Sequence, residues 1–187
     1  MALVRDKLRE QLSSQGIEAE RHDFGGNSNV ALRAGDSFEN IQYRFIVSFG
    51  TSDLPDGATI DSATLKLTRG SVNNANPFDG TTGFGKCIVD IKNGSFGDAA
   101  AVEDTDFEAA PTAPKVAIMS SPVIDGAKSI GSLNAAGLVA INKMGKTQLR
   151  VSFEISDNDN KIGDFIGFYS GSATESSNRP ILEVTYH

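Results

Sequence analysis

Acidic and amide side chains alternate in one stretch near the C-terminal end of the chain. It runs Asp157, Asn158, Asp159, Asn160, and Asp164 follows shortly after. Carboxylates at alternate loop positions suit Ca²⁺, which takes about six to eight oxygen ligands. We predict a calcium site at Asp157, Asp159 and Asp164, although the spacing is not that of an EF-hand loop. The alternative is a solvated hairpin turn, because Asp and Asn favour turns for conformational reasons.

A second group of residues could bind an anion. Strand alternation places five basic residues on outward faces: Arg33, Arg44, Lys66, Arg69 and Arg150. A patch of this kind would bind an acidic polysaccharide through its carboxylates. The alternative is an ordinary solvated sheet face.

Carbohydrate binding usually also needs exposed aromatic faces. The chain has no Trp, so Tyr43, Phe165, Phe168 and Tyr169 are the candidates. Their positions in alternating segments predict that most of them face the core.

Residues suited to catalysis are few. Cys87 is the only cysteine and alternates with Val89 and Ile91, which predicts a buried side chain. His22 and His187 lie near the chain ends, so a triad is not expected. A further acidic group, Glu103, Asp104, Asp106 and Glu108, is typical of the start of a helix rather than of a pair of opposed carboxylates. We expect no enzymatic activity.

Period-two alternation dominates the body of the chain. Tyr43, Phe45, Val47 and Phe49 alternate with other residues, and the same pattern recurs around 63–67, 149–155 and 182–186. This pattern predicts antiparallel strands with one face on a core. A short Ala-rich helix is predicted over 133–143 and a helical turn over 104–110, whereas 114–131 is expected to form short strands or a loop.

The N-terminal residues have a different pattern. Val4, Leu8 and Leu12 lie four apart among charged residues, which predicts an amphipathic helix over 3–14. So short a helix is marginal alone, so these three residues are candidates for docking or oligomerisation. The alternatives are a helix folded back on the body and a disordered tail. We predict an N-terminal segment, 1–22, followed by a single domain, 23–187.

Four ordered blocks of the sequence resemble the DNRLRE-type domains, which are related to disaggregatase-associated domains. The blocks are DFGGNSNVALRAGD, IQYRFIVSFGTSDLPDGATIDSATLKL, GSLNAAGLVAINKMGKTQLRVSFEISDNDNKIGDFIGFYSG and NRPILEVTY, within about 24–186. The resemblance implies a jelly-roll-like β-sandwich, and some relatives are similar to carbohydrate-binding modules. The predicted fold is therefore all-β: an antiparallel jelly-roll-like β-sandwich with an N-terminal helix and one or two short inserted helices.

Charge and hydropathy limit the partners. The formal net charge is −7, which disfavours nucleic acid, and no apolar run approaches the length of a membrane span. The N-terminus lacks the apolar core of a secretory signal. We expect a structural or adhesion subunit of a viral surface (a phage decoration, fibre or appendage protein) or of an extracellular assembly, bound to its own copies or to a shell. The alternative is a carbohydrate-binding module.

Overall fold

The computed structural model describes residues 4–9, 30–97 and 104–187. Within these ranges the chain forms antiparallel sheets, as the alternation predicts. The strands are β1 (Val4–Arg9), β2 (Val30–Asp36), β3 (Gln42–Tyr43), β4 (Phe45–Gly50), β5 (Ile60–Asn73), β6 (Cys87–Asn93), β7 (Ala113–Ile118), β8 (Lys128–Ser132), β9 (Lys146–Phe153), β10 (Phe165–Tyr169) and β11 (Ile181–Tyr186).

The strands divide into two sheets. The seven-stranded sheet has the order β1-β11-β5-β10-β2-β3, and β8 also pairs with β5. The four-stranded sheet has the order β4-β9-β6-β7. The chain passes between the sheets at Arg44, which separates β3 from β4.

One hydrophobic core joins the two sheets. Leu65 and Phe168 of the seven-stranded sheet belong to the same buried cluster as Val47, Val89 and Val151 of the four-stranded sheet. Each of these side chains lies on the inward face that strand alternation assigns to it. The all-β prediction is confirmed at this level, with a β-sandwich-like arrangement of the sheets.

The fourteen-residue strand β5 supports much of the seven-stranded sheet. It pairs with β11, β10 and β8, all antiparallel. In its register with β8, Lys66 faces Ile130 and Thr68 faces Lys128. This register places side chains from both strands on one outer face.

The predicted N-terminal helix is not found at Val4–Arg9. These residues form β1, which pairs with β11 from Val4 opposite Tyr186 to Arg9 opposite Ile181. Apolar residues four apart satisfy both a helical stripe and a period of two, and the free edge of β11 offers backbone partners to a strand. The docking stripe over Val4 and Leu8 was therefore wrongly predicted as helical. Leu12 and the proposed boundary at residue 22 lie outside the described residues.

The inserted helices are short. The helix α1 covers Ala135–Ala140, inside the predicted range, and the Asn134 side chain caps it by accepting from the Gly137 N–H. A 3-10 turn covers Asp104–Phe107, where a helical turn was predicted. In the described ranges, no helix has both the length and the apolar character needed to cross a membrane.

Candidate functional site at the loop end

Three loops meet at one end of the two sheets: 37–41 after β2, 74–86 after β5, and 154–164 after β9. The Asn158 side-chain amide donates to the Thr82 carbonyl oxygen at 3.2 Å. The Asn40 amide donates to Asp159 Oδ1 at 3.4 Å. This region, called the loop end below, contains the residues predicted to bind calcium.

Asp164 is buried at the centre of the loop end. Its Oδ1 accepts the Ala75 backbone N–H at 3.0 Å. Its Oδ2 accepts the side-chain amides of Asn158 at 3.2 Å and Asn160 at 2.9 Å. Both oxygens therefore already bind donors of the protein, and the carboxylate links the 74–86 loop to the 154–164 loop.

Asp36 is a second buried carboxylate in the loop end, at the end of β2. Its Oδ1 accepts the Asp164 N–H at 3.0 Å and its Oδ2 accepts the Asn158 N–H at 3.3 Å. Burial raises the pKa of Asp36, and the negative charges of Asp164 and Asp157 add to that rise, whereas the two N–H bonds lower it. Asp36 was not among the predicted site residues, because an Asp between a strand and a turn is usually an exposed turn residue.

Gly35 allows the backbones of β2 and the 154–164 loop to approach each other closely. Its φ is +133°, and a methyl group at its α-carbon would lie 2.1 Å from the Asp164 carbonyl oxygen. That oxygen accepts the Asp36 N–H at 3.0 Å. A side chain at position 35 would force β2 away from the 154–164 loop.

The remaining predicted calcium ligands, Asp157 and Asp159, also accept hydrogen bonds from donors of the protein. Asp157 accepts the Ser156 hydroxyl at 3.0 Å and the Asp159 N–H at 3.3 Å. No group of three acidic, His or Cys side chains in the described ranges is arranged to hold a metal ion. Calcium binding at Asp157, Asp159 and Asp164 stays a prediction, which a calorimetric titration with Ca²⁺ would test.

The rim of the loop end exposes several apolar side chains among polar ones. Phe38 is 59% exposed, and Ile41, Ile155 and Ile162 are also exposed. A methyl group on Gly163 would lie 3.3 Å from the Phe38 backbone nitrogen, so the 37–41 and 154–164 loops are in contact there. A buried polar centre thus lies beneath exposed apolar side chains, a distribution typical of contact surfaces.

Arg150 does not lie on a solvated face, contrary to the patch prediction. Its guanidinium is buried over the Phe96 ring, 4.6 Å from the ring centroid. Nη2 donates to Asp90 Oδ2 at 2.8 Å. Nη1 donates to three backbone carbonyl oxygens, those of Asp106, Phe107 and Ala109. Arg150 thereby holds the segment 106–109 against the outer face of the four-stranded sheet, and this segment is called the cover below.

The other four predicted cations are distributed among separate partners. Arg44 pairs with Glu108, Lys66 with Glu183 at 3.1 Å, and Arg69 with Asp125 at 2.7 Å. The Arg33 guanidinium lies 4.9 Å from the centroid of the Phe165 ring. The five predicted residues do not form one patch, because they lie on both sheets and each contacts its own neighbour.

The prediction that most of the aromatic candidates face the core holds for two of the four. Phe168 and Tyr43 are buried, whereas Phe165 and Tyr169 are half-buried on β10. Tyr43 packs edge-on against Phe165, with ring centroids 5.4 Å apart. The most exposed aromatic ring of the loop end, that of Phe38, was not among the candidates because it follows a strand rather than lying in one.

Cys87 is buried in the core, and burial raises the pKa of its thiol far above the ordinary range. The thiolate form that would act as a nucleophile is therefore disfavoured. His187 contacts the Asp61 carboxylate at 2.8 Å on the surface, and His22 lies outside the described residues.

A different surface lies where the edges of the two sheets meet. Four exposed apolar side chains lie along β7, β8 and the connection between them, a region here called the apolar corner: Ile118, Val123, Ile124 and Ile130. The Ser120 N–H donates to the Ile130 carbonyl oxygen at 2.9 Å. A methyl group on Gly131 would lie 3.3 Å from the Ile118 carbonyl oxygen, so β7 and β8 are in contact there.

Comparison with protein-family models and with curated proteins finds no match for this chain. The resemblance to DNRLRE-type domains stays a prediction.

Proposed function

We propose that this chain is a non-catalytic structural or adhesion subunit that assembles with its own copies at a viral or extracellular surface. Its body would be a jelly-roll-like β-sandwich of the DNRLRE type. The observation that carries the proposal is the apolar corner. Val123 is 82% exposed and Ile124 is 66% exposed, although side chains of this type are usually buried.

The position of the apolar corner supports an assembly role. Contiguous exposed apolar side chains typically mark protein–protein contact. The corner lies on β7, the edge strand of the four-stranded sheet, and on β8, which pairs with β5.

Pairing of β7 edges is the weaker way to join two copies. Pro114 lacks an N–H, and Lys115 has a φ of +50°, so the first half of β7 is a poor template for another strand. A second copy is therefore expected to bind through the exposed side chains of the apolar corner rather than through the β7 backbone.

Light scattering after size-exclusion chromatography tests the proposal. We expect the wild-type chain to form a defined oligomer, and Ile124→Asp to weaken that association by about tenfold or more, because a charge would be buried in the contact. Val139→Asp is the matched control: Val139 is 86% exposed on α1 and is not one of the four residues of the apolar corner, so its replacement should leave the oligomer intact. A wild-type chain that stays monomeric at every concentration would refute assembly through its own copies.

A second candidate function, binding of a polysaccharide, is favoured by Phe38. Its exposed ring lies beside the Asn-rich loop, and aromatic faces with nearby amides are suited to sugar rings. An array of acidic and neutral polysaccharides tests this function. We expect Phe38→Ala to abolish any signal, and a silent array with the wild-type chain would count against a carbohydrate-binding module.

A further inference from the structure

Two lysines lie side by side on the outer face of the seven-stranded sheet. In the register of β5 and β8, Lys66 faces Ile130 and Thr68 faces Lys128. Lys66 and Thr68 are two residues apart on β5, so their side chains point to the same face. Lys66 and Lys128 are therefore diagonal neighbours, a placement in which long side chains reach each other.

Lys128 is held in place by neutral groups. Its Nζ donates to Thr68 Oγ1 at 2.6 Å and to the Ser177 carbonyl oxygen at 2.9 Å. Thr68 is buried, so the ammonium is anchored at a fixed position between β5, β8 and the 3-10 turn at Ser176–Asn178. Among the described residues, no carboxylate lies within ion-pair distance of Lys128.

The electrostatic surroundings of Lys128 are unfavourable to its charge. Burial lowers the pKa of Lys128, and the positive charge of Lys66 lowers it further. Lys66 pairs with Glu183 at 3.1 Å, whereas Lys128 forms no ion pair with a carboxylate in the described ranges. An ammonium carries three donors, and neutral acceptors occupy two of those of Lys128.

Polar groups continue the same face. Thr64 Oγ1 and Ser132 Oγ lie 3.5 Å apart in the paired positions next to Lys66 and Ile130. An anion between the two ammonium groups would offset their repulsion, and the hydroxyls offer neutral hydrogen bonds to the rest of a ligand.

We propose that Lys66 and Lys128 form a subsite for an oxyanion, namely a carboxylate, sulfate or phosphate group, on the outer face of the seven-stranded sheet. Its main residue, Lys128, is not among the five cations that the sequence predicts. The inference goes beyond the assembly role, because it concerns a small anion rather than a second copy of the chain, and its test measures amide shifts rather than oligomeric state.

Titration followed by backbone amide NMR shifts tests the subsite. Sodium sulfate is added to the wild-type chain, and sodium chloride at matched ionic strength provides the baseline. We expect saturable shifts at the amides of Thr68, Lys128 and Ser177 with sulfate only. Lys128→Met should weaken sulfate binding by about tenfold, the effect expected for loss of one charge-assisted hydrogen bond.

Lys143→Met is the matched control. Lys143 Nζ also donates to a neutral carbonyl oxygen, that of Ala58 at 2.8 Å, but on another part of the surface. This variant should bind sulfate as the wild type does. Lys128→Arg should retain binding, and Lys66→Met provides an independent test if Lys128→Met fails to fold. Equal sulfate shifts in the wild type and in the variants that lack either lysine would overturn the proposal.

A parallel titration distinguishes the sources of the oxyanion. Glucuronate presents a carboxylate on a sugar ring, and glucose is its neutral control. Shifts of the same amides with glucuronate, but not with glucose, would support a site for acidic sugars. Shifts with sulfate alone would support a site for tetrahedral anions, and shifts with neither anion would refute the subsite.

Discussion

The buried carboxylate of Asp36 makes the stability of the protein depend on pH. Its two oxygens accept backbone N–H groups, yet its pKa is raised because burial outweighs these bonds. A carboxyl group with a raised folded-state pKa contributes stability that is present at low pH and is lost as pH rises through that pKa. The loss begins above about pH 4, the ordinary carboxyl range.

We predict that Asp36→Asn is less stable than the wild type at pH 4, because its amide would turn one N–H toward another N–H donor. As pH rises from about 4 to 7, the wild type loses the contribution of Asp36 and the variant does not. The difference in Tm should therefore shrink, by roughly 2–4 °C for each kcal/mol in a domain of this size. Thermal melts across this range measure it, with exposed Asp56→Asn as the control. A constant difference, or one that widens with pH, would contradict the assignment.

Among the elements, the strands of the body were the most predictable from sequence. Phe45, Val47 and Phe49 lie on one face of β4, and Leu149, Val151 and Phe153 lie on one face of β9, as their alternation indicates. The pattern predicts the strands well because, when one face of a sheet is buried, a period of two determines which side chains face the core. The N-terminal segment lacked such a signal, since a spacing of four fits a strand and a helix equally.

The cover over the four-stranded sheet could not be predicted from the strand pattern. Alternation correctly turns Arg150 away from the main core, but it does not show that Phe96 and Phe107 form a second small core with Ile46 on that outer face. Whether an outward position is solvated depends on where a loop folds back, which local periodicity does not encode. For this reason, the cationic patch was predicted where an internal ion pair with Asp90 is found.

The loop end could be predicted only in part, because the contacts between its loops are not encoded in local sequence. Asp164 was among the predicted residues because it follows an Asp-rich stretch, whereas its partner Asp36 lies 128 positions away in the chain. Turn composition identifies residues that can accept hydrogen bonds, but not the loops that supply the donors. The contact between β2 and the 154–164 loop emerges only from the pairing of β2 with β10.

At the scale of the whole molecule, net charge and the apolar corner act in opposite directions on assembly. Each chain carries a formal charge of −7, so two copies repel each other at low ionic strength. The Debye length falls from about 30 Å at 0.01 M salt to about 10 Å at 0.1 M, which screens that repulsion. Burial of Ile118 and Ile124 in a contact would not be weakened by the same salt.

We therefore predict that self-association strengthens as sodium chloride rises from about 0.05 to 0.5 M, by several-fold in the association constant. Sedimentation equilibrium at fixed protein concentration measures the change. Ile124→Asp should remain dissociated over most of this range, whereas Val139→Asp, which adds the same charge elsewhere, should follow the wild type. Association that weakens with salt would show that ion pairs hold the copies together. In that case, the apolar corner would not be the contact, because its burial does not depend on opposite charges.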